Sequence, residues 1–317
     1  MAAITEDVAV RARIHSAMQT RQRWNLLIFM GPAAIIVALF FALPVVVDIF
    51  ISFTDLGRTL QISEFSFKNF DRAFTGDSRL PKVLGLTAIY VFGTLAFFNV
   101  TFGLVLALTT TALPDKAGGF FRTIWLLPRM SPSVVYIVLW TWSVHSGDSS
   151  LVNQVVMNVF GVEKPLDLLL DAPVALIILA NGFIGASFGM IILTSAVRGI
   201  PEHLFFAARA DGAGYFSIVR HITMPALRWP LTYIAIGQTL SLLVSFEYLL
   251  LLTGGGPFQD TTVFALYIYR RAFQSGQYGY GAALALFLII PGIIFALSAW
   301  RFTNMQKMMQ EPRIEVH

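Results

Sequence analysis

IPEHLFFAARADGAGYFSIVRHITMPALRWPL, Ile200 to Leu231, decides the fold. It is polar, basic and punctuated, and it stands between two long apolar segments. Pro201 and Glu202 suit the first turn of a helix: Pro has no N–H to leave unsatisfied there, and Glu favours the positive end of the dipole. A short amphipathic run follows, with Leu204, Ala208 and Asp211 on successive turns. Asp211-Gly212-Ala213-Gly214 breaks it, because glycine accepts the backbone angles of a tight turn. A second short helix is expected over Tyr215–Ile222, stopping before Pro225. The stretch predicts a helix–turn–helix hairpin standing outside a membrane.

Composition supports the membrane. Of 317 residues, 56% are hydrophobic and only 13% are charged, about half the charge of a typical soluble domain. The chain has no cysteine, so disulfides, thiol chemistry and Cys-based metal sites are excluded. No aromatic–basic patch suggests nucleic acid. About 20 apolar residues cross the hydrocarbon, and six segments qualify as spans: 24–53, 83–111, 120–142, 173–197, 230–252 and 278–302. The expected class is an all-α polytopic membrane protein with six transmembrane helices. Residues 1–23 form an N-terminal tail, 24–302 the membrane domain with the polar loop 198–229 inside it, and 303–317 a C-terminal tail.

Six spans place both termini on one side, and Lys/Arg bias chooses the side. The tails, residues 112–119 and 198–229, with Arg122 and Arg301, hold thirteen basic residues against eight on the opposite loops. Both termini and the hairpin are therefore expected in the cytosol, with the chain multi-pass.

Catalytic patterns are missing. There is no G-x-x-x-x-G-K-[ST] loop to cradle phosphate, no H-E-x-x-H and no G-x-S-x-G elbow. The expectation is a transport subunit that is not an enzyme, with polar and aromatic side chains on the inward faces of apolar helices. One rival is an ion-coupled secondary transporter, which needs buried carboxylates able to cycle protons or sodium. Asp48 and Glu247 are the only acids within the expected spans, both near their outer ends.

Three patterns carry a resemblance. The first is P-E-x-L-x-x-A-A-x-x-D-G-A, running from Pro201 to Ala213. The second is Leu252-Thr253-Gly254-Gly255-Gly256-Pro257, with Thr261 and Thr262 following and then Tyr267-Ile268-Tyr269. The third is Leu126-Leu127-Pro128 with Pro132 and Trp140. Together they resemble the permease subunits of binding-protein-dependent ABC importers of the sugar type, closest in pattern to the maltose-type first permease subunit. The resemblance spans roughly residues 120–302 and implies the ABC type I importer permease fold.

It also implies a carbohydrate substrate, a sugar, oligosaccharide or derivative, delivered by an extracytoplasmic solute-binding protein. The implied partners are a second homologous permease and two copies of an ATP-binding cassette subunit that carry ATP-Mg; this chain itself binds no cofactor and no metal. The hairpin becomes the ATPase-coupling loop, with Glu202, Leu204, Phe205, Phe206, Ala207, Ala208, Arg209, Asp211, Gly212, Ala213 and Gly214 as its contact and turn residues. Phe206 departs from the pattern, since the family places Glu before the paired alanines. An apolar contact is expected there.

The resemblance places the substrate site midway across the membrane. In the fourth span it implicates Asn181, Phe183, Ser187 and Phe188, Asn181 as a hydroxyl partner and Phe183 as a stacking surface. Helix packing is the other role open to Asn181, because Asn, Gly and Ser are common between membrane helices. In the fifth span Ser241, Ser245 and Glu247 correspond to inward positions. Arg129 lies nine residues into the third span, about 13 Å deep if the helix is straight. It either reads an anionic or hydroxyl-rich substrate, with Glu247 as counter-ion, or snorkels to hold a neighbour's carbonyls.

Overall fold

A computed structural model describes residues 28–162, 164–258 and 260–303. Both tails lie almost wholly outside these residues. The described chain is helical, with a single isolated antiparallel bridge, Thr54 to Phe65.

Helix α1, Ile28–Ser52, packs along the last helix and otherwise presents apolar side chains outward. Helix α2, Leu80–Ala112, carries a π-helical stretch at Thr94–Phe102. Helices α3, Asp115–Met130, and α4, Ser133–Val144, meet at 99°. Helix α5 is Leu151–Phe160, α6 is Pro173–Arg198, α7 is Glu202–Ala210 and α8 is Tyr215–Ile218. Helix α9, Met224–Val244, stops before α10, Glu247–Leu252; α11 is Phe264–Tyr269 and α12 is Tyr278–Thr303.

Among the described residues four helices, α1, α2, α6 and α12, are long and apolar enough to cross a membrane, or five if the bent α3–α4 pair is one span. Six were expected. The third is not a straight crossing: Pro132 caps α4 with φ −54 and ψ 138, while Ser131 is extended, so the helix turns a corner there. Arg129 consequently sits in the last turn of α3, where a cation complements the carbonyl end of the helix, and not partway along a straight span. The fifth expected crossing breaks at Ser245–Phe246.

Helix α6 is the central column, the most buried of the four by composition and packing. Its apolar side joins Tyr90, Leu176, Ile177, Ala180, Leu242, Leu249 and Leu266 in one core cluster. Small residues let α2 approach closely, as membrane helices that lack a hydrophobic drive require. A side-chain carbon at Gly182 would fall 2.2 Å from the Phe98 ring, one at Gly185 1.9 Å from Asn99 Oδ1, and one at Gly189 2.1 Å from the Asn99 carbonyl oxygen.

Two loops hold more structure than their sequence promised. The polar loop 143–172 contains α5, begun by Ser150, whose hydroxyl accepts from the Asn153 amide. Buried Asn153 donates to the carbonyls of Gly147 and Leu166 and accepts from the Leu166 amide, so it staples the loop closed. The second hairpin helix does not stop before Pro225. It continues through a π turn at Val219–Thr223 into α9, and Pro225 falls in that helix's first turn. The wide turn absorbs the missing donor and the ring.

Candidate functional site

Two broken helices face each other around α6, and polar side chains gather where they break. A broken helix leaves its terminal carbonyls and amides without intrahelical partners, so it suits a polar ligand inside an apolar bundle. At the first break Ser133 Oγ donates to Glu247 Oε1 at 2.5 Å, tying the start of α4 to the start of α10. At the second break Ser245 is extended, ψ 120, and half-buried. Its hydroxyl lies 3.4 Å from both Asn181 Nδ2 and Tyr90 Oη. Asn181 Nδ2 also donates to Tyr90 Oη, closing a triangle of hydrogen-bonding groups from α2, α6 and the α9–α10 break.

Beside the triangle lies an aromatic wall. Phe183 packs on Trp125 with centroids 4.6 Å apart and approaches Trp140 at 6.4 Å. Tyr136 meets Trp140 and Tyr248 edge-on, each at 6.2 Å, and its hydroxyl donates to the Ala180 carbonyl at 2.7 Å. The α3–α4 bend leaves an apolar cavity of about 720 Å³ with Tyr136 and Trp140 in its lining. Flat aromatic faces beside hydroxyl and amide donors match the two-sided character of a sugar ring, apolar on its C–H face and polar at its edge.

Of the residues expected at the site, the structure unites Asn181 with Ser245 and sets Phe183 against the aromatic wall. Arg129 and Phe188 also meet, the guanidinium carbon 5.2 Å from the ring centroid, within cation–π range. Glu247 is engaged by Ser133, and no ion pair joins it to Arg129 among the described residues. Ser187 is fully buried, and its hydroxyl turns back to the Ile184 carbonyl at 2.6 Å. Ser241 is exposed, one helical turn before Ser245. Sequence reasoning missed Tyr90 and Trp125, since an aromatic in an apolar run carries no local signal of what it faces.

At one end of the bundle the hairpin α7–α8 projects as a knob. Gly212 has φ +79, a left-handed conformation that strains a side-chain-bearing residue, although open space surrounds it. Its amide donates to Arg209 O and that of Ala213 to Ala208 O, fixing the turn. Gly214 has φ −73 and is ordinary extended backbone that any residue can adopt. Leu204, Phe206, Tyr215 and Phe216 are exposed, Phe206 at 62% and Phe216 at 85%. Glu202, Ala207, Arg209 and Asp211 are exposed with them, while Phe205, Ala208 and Ala213 are half-buried. A cleft of about 620 Å³, with Phe205, Phe206 and Arg209 in its wall, separates the knob from the end of α2. Nearby, Arg198 Nη2 pairs with Asp115 Oδ1 at 2.8 Å.

The opposite end is tied by polar staples. Asp77 accepts from Tyr267 Oη at 2.5 Å, Tyr280 Oη at 2.6 Å and the Arg79 amide at 3.1 Å, with Arg271 Nη2 at 3.8 Å. Its burial pushes the carboxyl pKa up, but these donors and the cation outweigh that and hold it below the usual range. The Gly254-Gly255-Gly256 turn has φ +57 and +81 at its first two glycines. Its carbonyls are capped by Thr261, Thr262 and the Arg270 guanidinium, which explains the threonines that follow the motif. The described residues contain no cluster of His, Cys, Asp or Glu suited to a metal.

Comparisons with known proteins agree with this architecture. Residues 99–303 match the family described as binding-protein-dependent transport system inner membrane component. The galactooligosaccharides transport system permease protein GanP of Bacillus subtilis (strain 168) is 28% identical over 297 residues, 89% of this chain and 70% of GanP. The maltose/maltodextrin transport system permease protein MalF of Escherichia coli (strain K12) is 28% identical over 243 residues, 72% of this chain and 47% of MalF. Among solved structures, a bacterial ABC transporter involved in the import of the acidic polysaccharide alginate superposes with a TM-score of 0.76 at 21% identity, covering 93% of this chain and 99% of that one. The ion-coupled alternative finds no support among these relatives.

Proposed function

We propose a function from a fixed premise: this chain belongs to the family of binding-protein-dependent transport system inner membrane components. It is a multi-pass membrane permease, a transport subunit and not an enzyme. On that premise the chain forms part of the path by which an oligosaccharide crosses the membrane. GanP is named for galactooligosaccharides and MalF for maltodextrins, and the alginate importer takes an acidic polysaccharide. The observation that carries the carbohydrate reading is the Asn181–Tyr90–Ser245 triangle beside the Trp125–Phe183–Trp140 wall. Asn181 and Ser245 hold hydroxyls, Phe183 and the tryptophans receive the C–H face of a ring, and Arg129 greets an anionic group as ligand passes the α3–α4 bend.

The remaining assignments complete the machine. The α7–α8 knob is the coupling element that enters the ATPase, with Phe206 giving an apolar contact and Gly212 its turn. Two ATP-binding cassette subunits carry ATP-Mg, a second homologous permease supplies the other half of the path, and a solute-binding protein docks on the face that bears Asp77 and the glycine turn. Both termini and the knob are cytosolic, as the basic residues favour.

The test is uptake of labelled galacto- and malto-oligosaccharides by cells with and without the chain. Asn181→Ala and Phe183→Ala each lower uptake about two- to tenfold, the loss of one hydrogen bond or one stacking face. Uptake independent of the chain for every sugar, or wild-type uptake by both variants at normal membrane levels, refutes the site.

A further inference from the structure

We infer that Tyr90 is a built-in stand-in for substrate: its phenol hydroxyl occupies the hydroxyl position between Asn181 and Ser245, and incoming ligand must displace it. This rests on the carbohydrate reading and adds to it the residue that holds the site shut.

Three observations converge. Tyr90 is fully buried, yet its hydroxyl is the shared partner of both polar groups assigned to substrate. A phenolic O–H donates and accepts as a sugar hydroxyl does, so the phenol and a ligand hydroxyl compete for one place. The triangle also bolts together the three elements that must separate for a ligand to enter: α2, α6 and the α9–α10 break.

The third observation supplies the motion. The π-helical stretch begins at Thr94, four residues beyond Tyr90, and π segments inside α-helices are frequent at functional sites. Within it the Thr94 hydroxyl and both polar atoms of the Asn99 side chain are buried with no hydrogen-bond partner among the described residues. Buried polar groups are almost always paired. These unpaired groups make this stretch of α2 the part of the helix with most hydrogen bonding still to gain from a shift that withdraws Tyr90. Gly182 lies under Phe98 and Gly185 under Asn99, so here α6 meets the π stretch with backbone and not with side chains.

The competing role is structural, a tyrosine hydroxyl that only satisfies Asn181. Tyr90→Phe separates the two, because it keeps the ring and removes the hydroxyl. The complex is purified from its own membrane through a tag on this chain and reconstituted in vesicles. Two readouts are taken with no binding protein and no sugar. One is ATP hydrolysis. The other is the rate at which fluorescein maleimide labels Leu242→Cys, a buried position in the core cluster that also holds Tyr90 and outside the triangle, on a chain that otherwise has no cysteine.

As a stand-in, Tyr90→Phe raises ligand-independent hydrolysis about two- to tenfold, the weight of one or two hydrogen bonds. It speeds labelling of Leu242→Cys by a similar factor. Unchanged hydrolysis and labelling overturn the inference. Lower uptake without either rise, or failure of the variant to assemble, marks the hydroxyl as structural and also overturns it. The underlying site is judged separately by Asn181→Ala: if that variant loses uptake while Tyr90→Phe matches wild type, the carbohydrate site stands and the stand-in falls.

Discussion

Replacing Gly189 with alanine tests the helix contact on which the site depends. An ideal side-chain carbon at Gly189 lies 2.1 Å from the Asn99 carbonyl oxygen and 3.4 Å from the Gly103 Cα. Carbon and oxygen normally approach no closer than about 3.3 Å, so α2 and α6 must separate by about 1 Å. The obstacle is backbone, and no change of rotamer relieves it. Overpacking of this kind costs about 1–3 kcal/mol. The same two helices hold Tyr90 and Asn181, so the displacement also loosens the triangle.

The assay is thermal unfolding of the purified chain in detergent, followed by tryptophan fluorescence. Gly189→Ala lowers the midpoint by several degrees, taking roughly 2–4 °C per kcal/mol. Gly237→Ala is the control: it lies within α9, where an added carbon meets nothing within 4 Å. There alanine gains about 0.5–1 kcal/mol of helix propensity and raises the midpoint. A Gly189→Ala chain as stable as wild type, or a Gly237→Ala chain as damaged as Gly189→Ala, refutes the packing argument.

Gly212→Val places a β-branched side chain at φ +79 and strains the knob by about 1–3 kcal/mol; the helices still insert, but ATPase co-purification falls, and normal co-purification with coupled uptake removes the turn from the coupling role. Phe206→Asp weakens ATPase recovery more than Phe206→Glu, whose longer side chain still reaches a basic partner; equal recovery from both and from wild type ends the apolar-contact idea. Asp77 has its pKa held below the usual value of about 3.9, so its stabilisation is full above that pH and lost as pH falls through the lower folded value. Asp77→Asn therefore lowers the midpoint at pH 7 and flattens its fall below about pH 4, and an unchanged acid profile counts against the staple. Arg129→Ala depresses uptake of an acidic oligosaccharide far more than a neutral one, with Arg129→Lys restoring it in part because the guanidinium fork is lost; equal losses for both sugars assign Arg129 to structure.

The sequence by itself determined the class, the family and the hairpin, because each rests on local chemistry. Runs of uncharged residues long enough to cross hydrocarbon mark membrane helices wherever they pack. Pro201, the Asp211-Gly212 turn and the Thr253–Pro257 helix stop are backbone requirements that short spacings express directly, and Gly212, Gly254 and Gly255 do adopt positive φ. Asn181 and Ser245 were legible as polar groups in apolar surroundings. Tertiary structure alone decided the rest. Only packing shows that Tyr90, 91 residues from Asn181 in the chain, joins its amide, or that Trp125 lies under Phe183. The bend at Ser131–Pro132 moved Arg129 from mid-span to a helix end, which no periodicity records, since both halves keep the same helical repeat. Ser187 and Glu247 were claimed by nearer partners, Ile184 and Ser133. A polar side chain in a membrane interior takes whichever hydrogen bond the fold brings within reach, and that choice is made by helix positions in space and not by the residue's neighbours in the chain.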